Sequence, residues 1–217
     1  MKQVQLDKQT IAWFKIAECV SRGEKERALG VYRLLSHSFN DNAIARQLEA
    51  DIYLSFQEKE QAVSLYQQAM ESYHKSNRFL EAAAVGEHLI IMCPINDTLR
   101  RELVRLYILL GMIPNARMHI SASIDSLAHK QQWYEIKHMI GESAHFSDLN
   151  GRTALYSDIL IIAYKRGCSE DILLQSIHQA IDDLIFANDE QYIQRLLLSL
   201  QTHSDELYEH ALSYVMK

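Results

Sequence analysis

Ten histidines occur in this 217-residue sequence, and two of them have a spacing that suits a metal ion. His138, Glu142 and His145 are separated by steps of four and three residues, which would place all three on one face of a helix. Such a set could hold zinc and leave one coordination position open. Two Glu-x-x-His pairs, ending at His74 and His145, also have the spacing used in di-iron bundles.

The same residues have a simpler interpretation as the solvated face of a helix. Short spacings between histidine and glutamate arise by chance in a chain with many histidines. The sequence contains no G-x-S-x-G motif, Walker loop or H-E-x-x-H motif, and Cys19 has no histidine near it in sequence. We therefore predict no catalytic residue, no metal site and no cofactor. A metal-dependent enzyme is the less favoured alternative.

The elements that would position these side chains are predicted from composition. Only 7 glycines and 2 prolines occur in the chain, whereas average usage would give about 15 and about 11. Sandwiches, barrels and doubly wound sheets need many tight turns shaped by these residues, so the shortage favours long helices. The cysteines, Cys19, Cys93 and Cys168, form no C-x-x-C pair and are expected to be buried free thiols.

Charge and hydropathy exclude further classes. The 22 Lys and Arg against 28 Asp and Glu give a formal charge of −6, which disfavours general nucleic-acid binding because that needs a basic face. The longest apolar runs, Leu89–Cys93 and Tyr107–Leu110, are far shorter than the ~20 residues of a membrane span. The first ten residues contain no apolar signal-peptide run. We expect a cytoplasmic protein with no membrane insertion.

Regular spacing of alanines indicates helical repeats. Ala28 and Ala62 are 34 residues apart, and Ala82 follows after a step of 20 residues. An offset of 54 residues aligns the segments 77–81 and 131–135. Together with apolar residues at steps of three and four, this pattern predicts similar helices joined by short loops. The predicted starts lie near residues 9, 24, 42, 59, 79, 97, 114, 132, 152, 170, 189 and 205.

The segment that begins at Asp97 resembles the tetratricopeptide repeat, a unit of ~34 residues in two helices. It carries Leu103, Tyr107, Gly111 and Ala116 at the spacing of that family. Further matching residues are Gly23, Ala28, Tyr32, Ala50, Tyr53, Ala62, Tyr66, Ala69 and the stretch 77–82 with Pro94. The resemblance implies a bacterial-type tetratricopeptide-like protein. Its fold would be an all-α, right-handed superhelical solenoid of about twelve helices in stacked antiparallel pairs.

One domain is expected over residues 1–217. The repeats are recognisable over about 9–149 and are degenerate over about 150–217, where the helices would form a C-terminal cap. Gln57 replaces the turn glycine of the second unit. Gly86 and Gly141 fall inside predicted helices, where we expect close helix crossings.

The resemblance implies a non-enzymatic interaction module, an adaptor or scaffold that binds a peptide or partner helix in a concave groove. The concave-face residues that it implies are Trp13, Gln47, Asp51, Leu54, Arg101, Arg105 and Ile108. Arg101 and Arg105 are four residues apart, so both would project from one helix face and could bind an acidic peptide. Alternatively, they are solvated or pair with neighbouring acids.

Two further alternatives concern packing and assembly. Trp133 is predicted to belong to the core, whereas Trp13 is equally compatible with the core and with an exposed interface. The chain could also be a structural subunit of a larger assembly or a homodimer, in which case the C-terminal helices would form an interface rather than a cap.

Overall fold

The computed structural model describes residues 8–37, 39, 41–144, 148–188 and 190–216. This part of the chain forms twelve α-helices and no strand, which confirms the all-α class and the predicted number of helices. The helices are α1 (Lys8–Ser21), α2 (Lys25–Ser36), α3 (Asn42–Ser55), α4 (Lys59–Lys75), α5 (Phe79–Met92), α6 (Asp97–Leu109), α7 (Ile113–Lys130), α8 (Tyr134–Ser143), α9 (Leu149–Lys165), α10 (Glu170–Phe186), α11 (Glu190–Gln201) and α12 (Asp205–Val215).

The predicted helix starts agree with the structure to within three residues, and the largest difference occurs at α9. The sequence places a break at Asn150–Gly151, yet α9 already begins at Leu149. The Asp148 carboxylate accepts hydrogen bonds from the amides of Asn150 (3.1 Å) and Gly151 (3.0 Å) and so caps the helix. A Cβ atom at Gly151 would lie 2.8 Å from Asp148 Oδ2, so the glycine leaves room for this cap.

Seven loops of the described chain turn through one residue with positive φ. Gly23 and Gly111 have this conformation, as expected for the predicted turn glycines, and Gln57 adopts it at a φ of 63°. In six of these loops the next amide bonds to the carbonyl five residues earlier, for example Glu58 N to Tyr53 O at 3.0 Å. This bond satisfies a carbonyl that the helix end would otherwise leave unpaired. We call all seven loops the tight loops.

Four other helix starts are stabilised by a side chain instead. Asp41, Asn96, Asp148 and Ser204 each accept a hydrogen bond from amides in the first turn of α3, α6, α9 and α12. These four residues are 55, 52 and 56 positions apart. Side-chain caps therefore recur every third helix, and we call the loops that carry them the capped loops. A segment of three helices, two tight loops and one capped loop is therefore repeated along the chain. Its length explains the 54-residue offset in the sequence.

The chain forms two compact units, Met1–Leu99 and Arg100–Lys217, which we describe separately. In the first unit, consecutive helices pack against each other from α1 to α5. Their buried residues include Ile16, Leu29, Leu48 and Ile52, which belong to one apolar cluster. The alanines at the repeated positions of this unit, Ala28, Ala50, Ala62, Ala69 and Ala82, are fully buried, as close helix packing requires.

The second unit has its own apolar core, in which helices pack both with their neighbours and two places along the chain. Helices α7, α9 and α11 contact one another in one row, and α8, α10 and α12 form a second row. The core runs from Ile120 to Ala211 and includes the fully buried Leu160. Trp133 is partly buried and packs against this core, in agreement with its predicted position.

Helix α8 approaches α10 closely at the predicted crossing. A Cβ atom on Gly141 would lie 2.9 Å from Nε2 of Gln179 in α10. Gly86, in α5, is buried. None of the helices in the described ranges has the length and apolarity needed to cross a bilayer.

Candidate functional site

The residues that the resemblance assigns to a binding face fall in both units. Trp13 lies on α1, and Gln47, Asp51 and Leu54 lie on α3 of the first unit. Arg101, Arg105 and Ile108 lie on α6 within the second unit. Each group is described within its own unit.

In the first unit, the polar residues of α3 are engaged by tyrosines of α4. The Tyr73 hydroxyl donates to Gln47 Oε1 at 3.1 Å, and the Tyr66 hydroxyl donates to Asp51 Oδ1. Both tyrosine rings are buried. Leu54 is half-buried, and Trp13 on α1 keeps 43% of its surface exposed. The polar groups of α3 therefore hold α4 in place, while Trp13 is the large apolar side chain of this set that remains open.

Asp51 has an unusual electrostatic environment. The residue as a whole is exposed, but its carboxyl lies against Tyr66 of α4, and partial burial there raises the pKa of the carboxyl above the ordinary value, although the Tyr66 hydrogen bond and the nearby His88 lower it. Burial and the Asp51 carboxylate together raise the pKa of the Tyr66 hydroxyl. The rings of Tyr66 and His88 meet edge to face, with centroids 4.8 Å apart. These groups form a polar cluster across α3, α4 and α5 in which Asp51 takes up a proton more readily than a solvated aspartate.

In the second unit, Arg101 and Arg105, the two arginines of α6 predicted for the binding face, pair with acids of α8. Arg101 Nη1 lies 3.2 Å from Glu135 Oε2, and Arg105 pairs with Glu142. Arg105 also lies 3.5 Å from Glu102 on its own helix. These arginines therefore pair with neighbouring acids, as the alternative interpretation of the sequence predicted. Their role in binding a partner stays a prediction. Ile108 is half-buried and packs against the core of the unit.

An open groove of about 880 Å³ runs along α8 in the second unit. We call it the α8 groove, and its lining residues are Arg105, Tyr134, Glu135, Lys137, His138, Gly141, Glu142 and Gln179. Lys137 Nζ lies 3.4 Å from Gln175 Oε1, which links α8 to α10 beside the groove. Tyr134 is 61% exposed. The groove offers an aromatic ring and hydrogen-bonding groups of both charges.

Only some residues of the hypothetical metal site lie in the described part of the chain. His138 Nδ1 lies 3.6 Å from Glu142 Oε1, whereas His145 lies outside the described residues. Glu71 is paired with Lys75 at 2.7 Å, and the His74 ring packs on Phe79 with centroids 5.5 Å apart. Within the described ranges no three or more His, Cys, Asp or Glu side chains come together as a metal site.

The three cysteines are free thiols, and each is half-buried. Burial raises the pKa of the Cys168 thiol to about 11. Because the thiolate is the nucleophilic form, Cys168 is a poor nucleophile at neutral pH.

Sequence reasoning missed most of the α8 groove. It identified Arg105 through the resemblance, and it considered His138 and Glu142 only as metal ligands. Tyr134 and Gln179 are 45 residues apart in sequence and meet through the packing of α8 on α10. The available signal was Gly141, whose position inside a helix predicted the close approach that brings Gln179 into the lining.

No protein-family model matches this sequence, and no curated protein matches it.

Proposed function

We propose that this chain is a non-enzymatic protein–protein interaction module, a cytoplasmic adaptor of tetratricopeptide-like solenoid type. It binds a peptide or a partner helix through the face that includes Arg101, Arg105 and Ile108. Within that face we place the bound segment in the α8 groove. The contribution of Trp13, Gln47, Asp51 and Leu54 to the same function rests on the resemblance.

The α8 groove is the observation that supports this proposal. Its volume of about 880 Å³ lies within the range of known binding clefts, roughly 300–1,000 Å³. Tyrosine and arginine are the side chains that most often anchor protein interfaces, and Tyr134 and Arg105 both line it. A wide, open groove with these groups suits a polypeptide segment better than an enclosed small molecule.

The charges of the groove indicate what kind of segment it accepts. Arg105 and Lys137 are balanced by Glu135 and Glu142, so the formal charge of the lining is zero with His138 neutral. An acidic peptide would have to compete with Glu142 for Arg105 and with Glu135 for Arg101. We therefore favour a segment with little net charge, which hydrogen-bonds to Gln179 and packs on Tyr134, over the strongly acidic peptide suggested by the arginine pair alone.

The experiment begins with affinity capture on the immobilised chain, followed by synthesis of the bound segment and calorimetric titration. The double variant Tyr134→Ala with His138→Ala removes an anchor and a polar group from the groove. We expect it to weaken binding at least about tenfold, because truncating a central aromatic anchor costs ~2 kcal/mol or more.

Met118→Ala is the matched control, because Met118 is similarly exposed at 56% and lies on α7, in the other row of the unit. Its affinity should equal that of the wild type. Equal affinity for the groove variant would instead remove the α8 groove from the binding site.

A further inference from the structure

A second open cleft of about 840 Å³ lies between α1 and α2 in the first unit. We call it the α1–α2 cleft. Its apolar lining is formed by Cys19, Gly30, Val31 and Leu34. Leu34 is 81% exposed, which is unusual for a leucine on a helix that otherwise buries its apolar side chains. The cleft therefore presents apolar surface that the described residues of the first unit leave uncovered.

Gly30 keeps this cleft open at the backbone of α2. It lies inside the helix, where glycine costs about 1 kcal/mol relative to alanine. Apart from its chain neighbours and the backbone of α2 itself, no atom of the described residues lies within 4 Å of the position that its Cβ would occupy. No close contact within the unit therefore requires the glycine, and its missing side chain widens the cleft to a partner surface.

The α1–α2 cleft is basic in an acidic chain. Four bases and two acids line it, giving a formal charge of +2, whereas the whole chain carries −6. Glu18 and Glu24 pair with Arg22 at 2.5 Å and with Arg27 at 2.8 Å, respectively. The excess positive charge therefore comes from Lys15 and Arg33, which are both exposed.

Helix α12 has the complementary properties in the second unit. It carries Asp205, Glu206 and Glu209 and no Lys or Arg, so its formal charge is −3. Leu207 and Ala211 are its buried residues. Its opposite side combines exposed Asp205, Glu209 and Met216 with half-exposed Tyr208 and Leu212. Met216, at the C-cap, is 79% exposed. The helix thus has an acidic end and an uncovered apolar stripe.

We propose that α12 of a second copy of this chain docks in the α1–α2 cleft. Asp205 and Glu209 then lie opposite Lys15 and Arg33, and the apolar stripe of α12 covers Leu34 and the open backbone at Gly30. The two helices match in length, since the 11 residues of α12 and the 12 residues of α2 span roughly 16 and 18 Å at 1.5 Å per residue.

The contact joins two different surfaces, so a bound pair of copies still offers one free cleft and one free α12. Heterologous contacts of this kind close into rings or continue into open chains. This inference uses neither the α8 groove nor its ligand, so it stands or falls independently of the proposed function.

Light scattering after size-exclusion chromatography tests the association of the intact chain. We expect an average mass above the 25.1 kDa of one chain, rising with protein concentration. The mass should fall as salt is raised from about 0.05 to 0.5 M, because charge pairs at an exposed rim are screened. A mass of one chain at all concentrations would overturn the proposal. That result would also be obtained if the cleft bound an acidic helix of another protein instead of α12, and the proposal would then be wrong.

Charge-reversal variants test whether the α1–α2 cleft and α12 are the two surfaces in contact. Lys15→Glu with Arg33→Glu should weaken association at least about tenfold, and Asp205→Lys with Glu209→Lys should do the same. Mixing the two variants should restore association, because an acidic α12 then meets a basic cleft and a basic α12 meets an acidic cleft. Restoration also shows that both variants are folded.

Lys59→Glu with Lys165→Glu is the matched control, since it changes the net charge by the same amount at exposed positions on α4 and α9. This control should associate like the wild type. Persistent association of either charge-reversed variant, or failure of the mixture to associate, would contradict the docking of α12 in the cleft.

Discussion

A single carboxyl group, Asp51, links a predicted site residue to the stability of the first unit. Burial raises its pKa, so the folded state binds a proton at Asp51 more tightly than the unfolded chain does. The free energy of unfolding therefore decreases as the pH rises through the folded pKa. At neutral pH the charged carboxylate is held in a partly desolvated position, where a neutral side chain would cost less.

Asp51→Asn should stabilise the protein at about pH 7, because the amide oxygen still accepts from Tyr66 and carries no charge. The gain should shrink as the pH falls through the raised pKa of Asp51, and it should be absent below about 4, the ordinary pKa of an aspartate, where the carboxyl is protonated in both states. Thermal unfolding of both proteins across this pH range measures the difference. A gain that does not change with pH would show that the charge of Asp51 has no part in it.

Asp41 provides the control of opposite sign. Burial raises its pKa, but the amides of Ala43 and Ile44 and the Arg78 guanidinium outweigh burial and hold the pKa below the ordinary value. Its charge therefore stabilises the fold above the unfolded pKa, and this contribution is lost as the pH falls through the folded pKa. Asp41→Asn should destabilise at about pH 7 and approach the wild type in acid.

At the scale of helices and loops, the tight loops depend on backbone conformation rather than on side chains. A residue with a Cβ atom pays roughly 1–2 kcal/mol to adopt positive φ, whereas glycine does not. Gly23 and Gly111 adopt it at φ values of 73° and 70°, while Gln57 and Gln131 adopt it with a full side chain. These loops therefore have the same backbone conformation with a glycine and without one.

Gln57→Gly should raise the free energy of unfolding by roughly 0.5–1 kcal/mol, since relief of the left-handed conformation exceeds the added entropy of the unfolded chain. The reverse change, Gly23→Ala, should lower it by a similar amount. Urea denaturation followed by circular dichroism measures both. Equal stability of Gln57→Gly and the wild type would mean that interactions of the Gln57 side chain offset the cost of its left-handed backbone conformation.

At the scale of the whole chain, each compact unit carries one tryptophan and its own apolar cluster. Trp13 lies on α1 in the first unit, and Trp133 packs against the core of the second. The prediction of a single domain over residues 1–217 requires both units to unfold together. Fluorescence of the two single-tryptophan variants, Trp13→Phe and Trp133→Phe, separates the transitions.

Leu160→Ala removes a fully buried side chain from the second core and should cost about 2–5 kcal/mol there. We expect the denaturation midpoint reported by Trp133 to fall further than the midpoint reported by Trp13, because the mutated cluster lies entirely in the second unit. An equal fall of both midpoints would show that the chain unfolds as one cooperative domain.

Local signals explain why the helices were predictable and the candidate site was not. Asp97 and Ser204 mark helix starts, and Pro114 lies in the first turn of α7, so these boundaries follow from neighbouring residues. Arg101 pairs with Glu135, 34 residues away, and this ion pair depends on where α8 lies relative to α6 in the second unit. The single sequence carries the spacing of the repeat but not which acid an arginine meets across it.

Because capped loops recur at every third helix, they divide the chain into segments of three helices with similar loops. A fragment excised between two capped loops, such as those at Asp41 and Asn96, contains three helices, both of its tight loops and a complete helix start. A cut inside a tight loop would instead separate an amide from the carbonyl to which it bonds five residues earlier. Duplication or deletion in steps of three helices would therefore leave each side-chain cap and each tight-loop hydrogen bond within one segment.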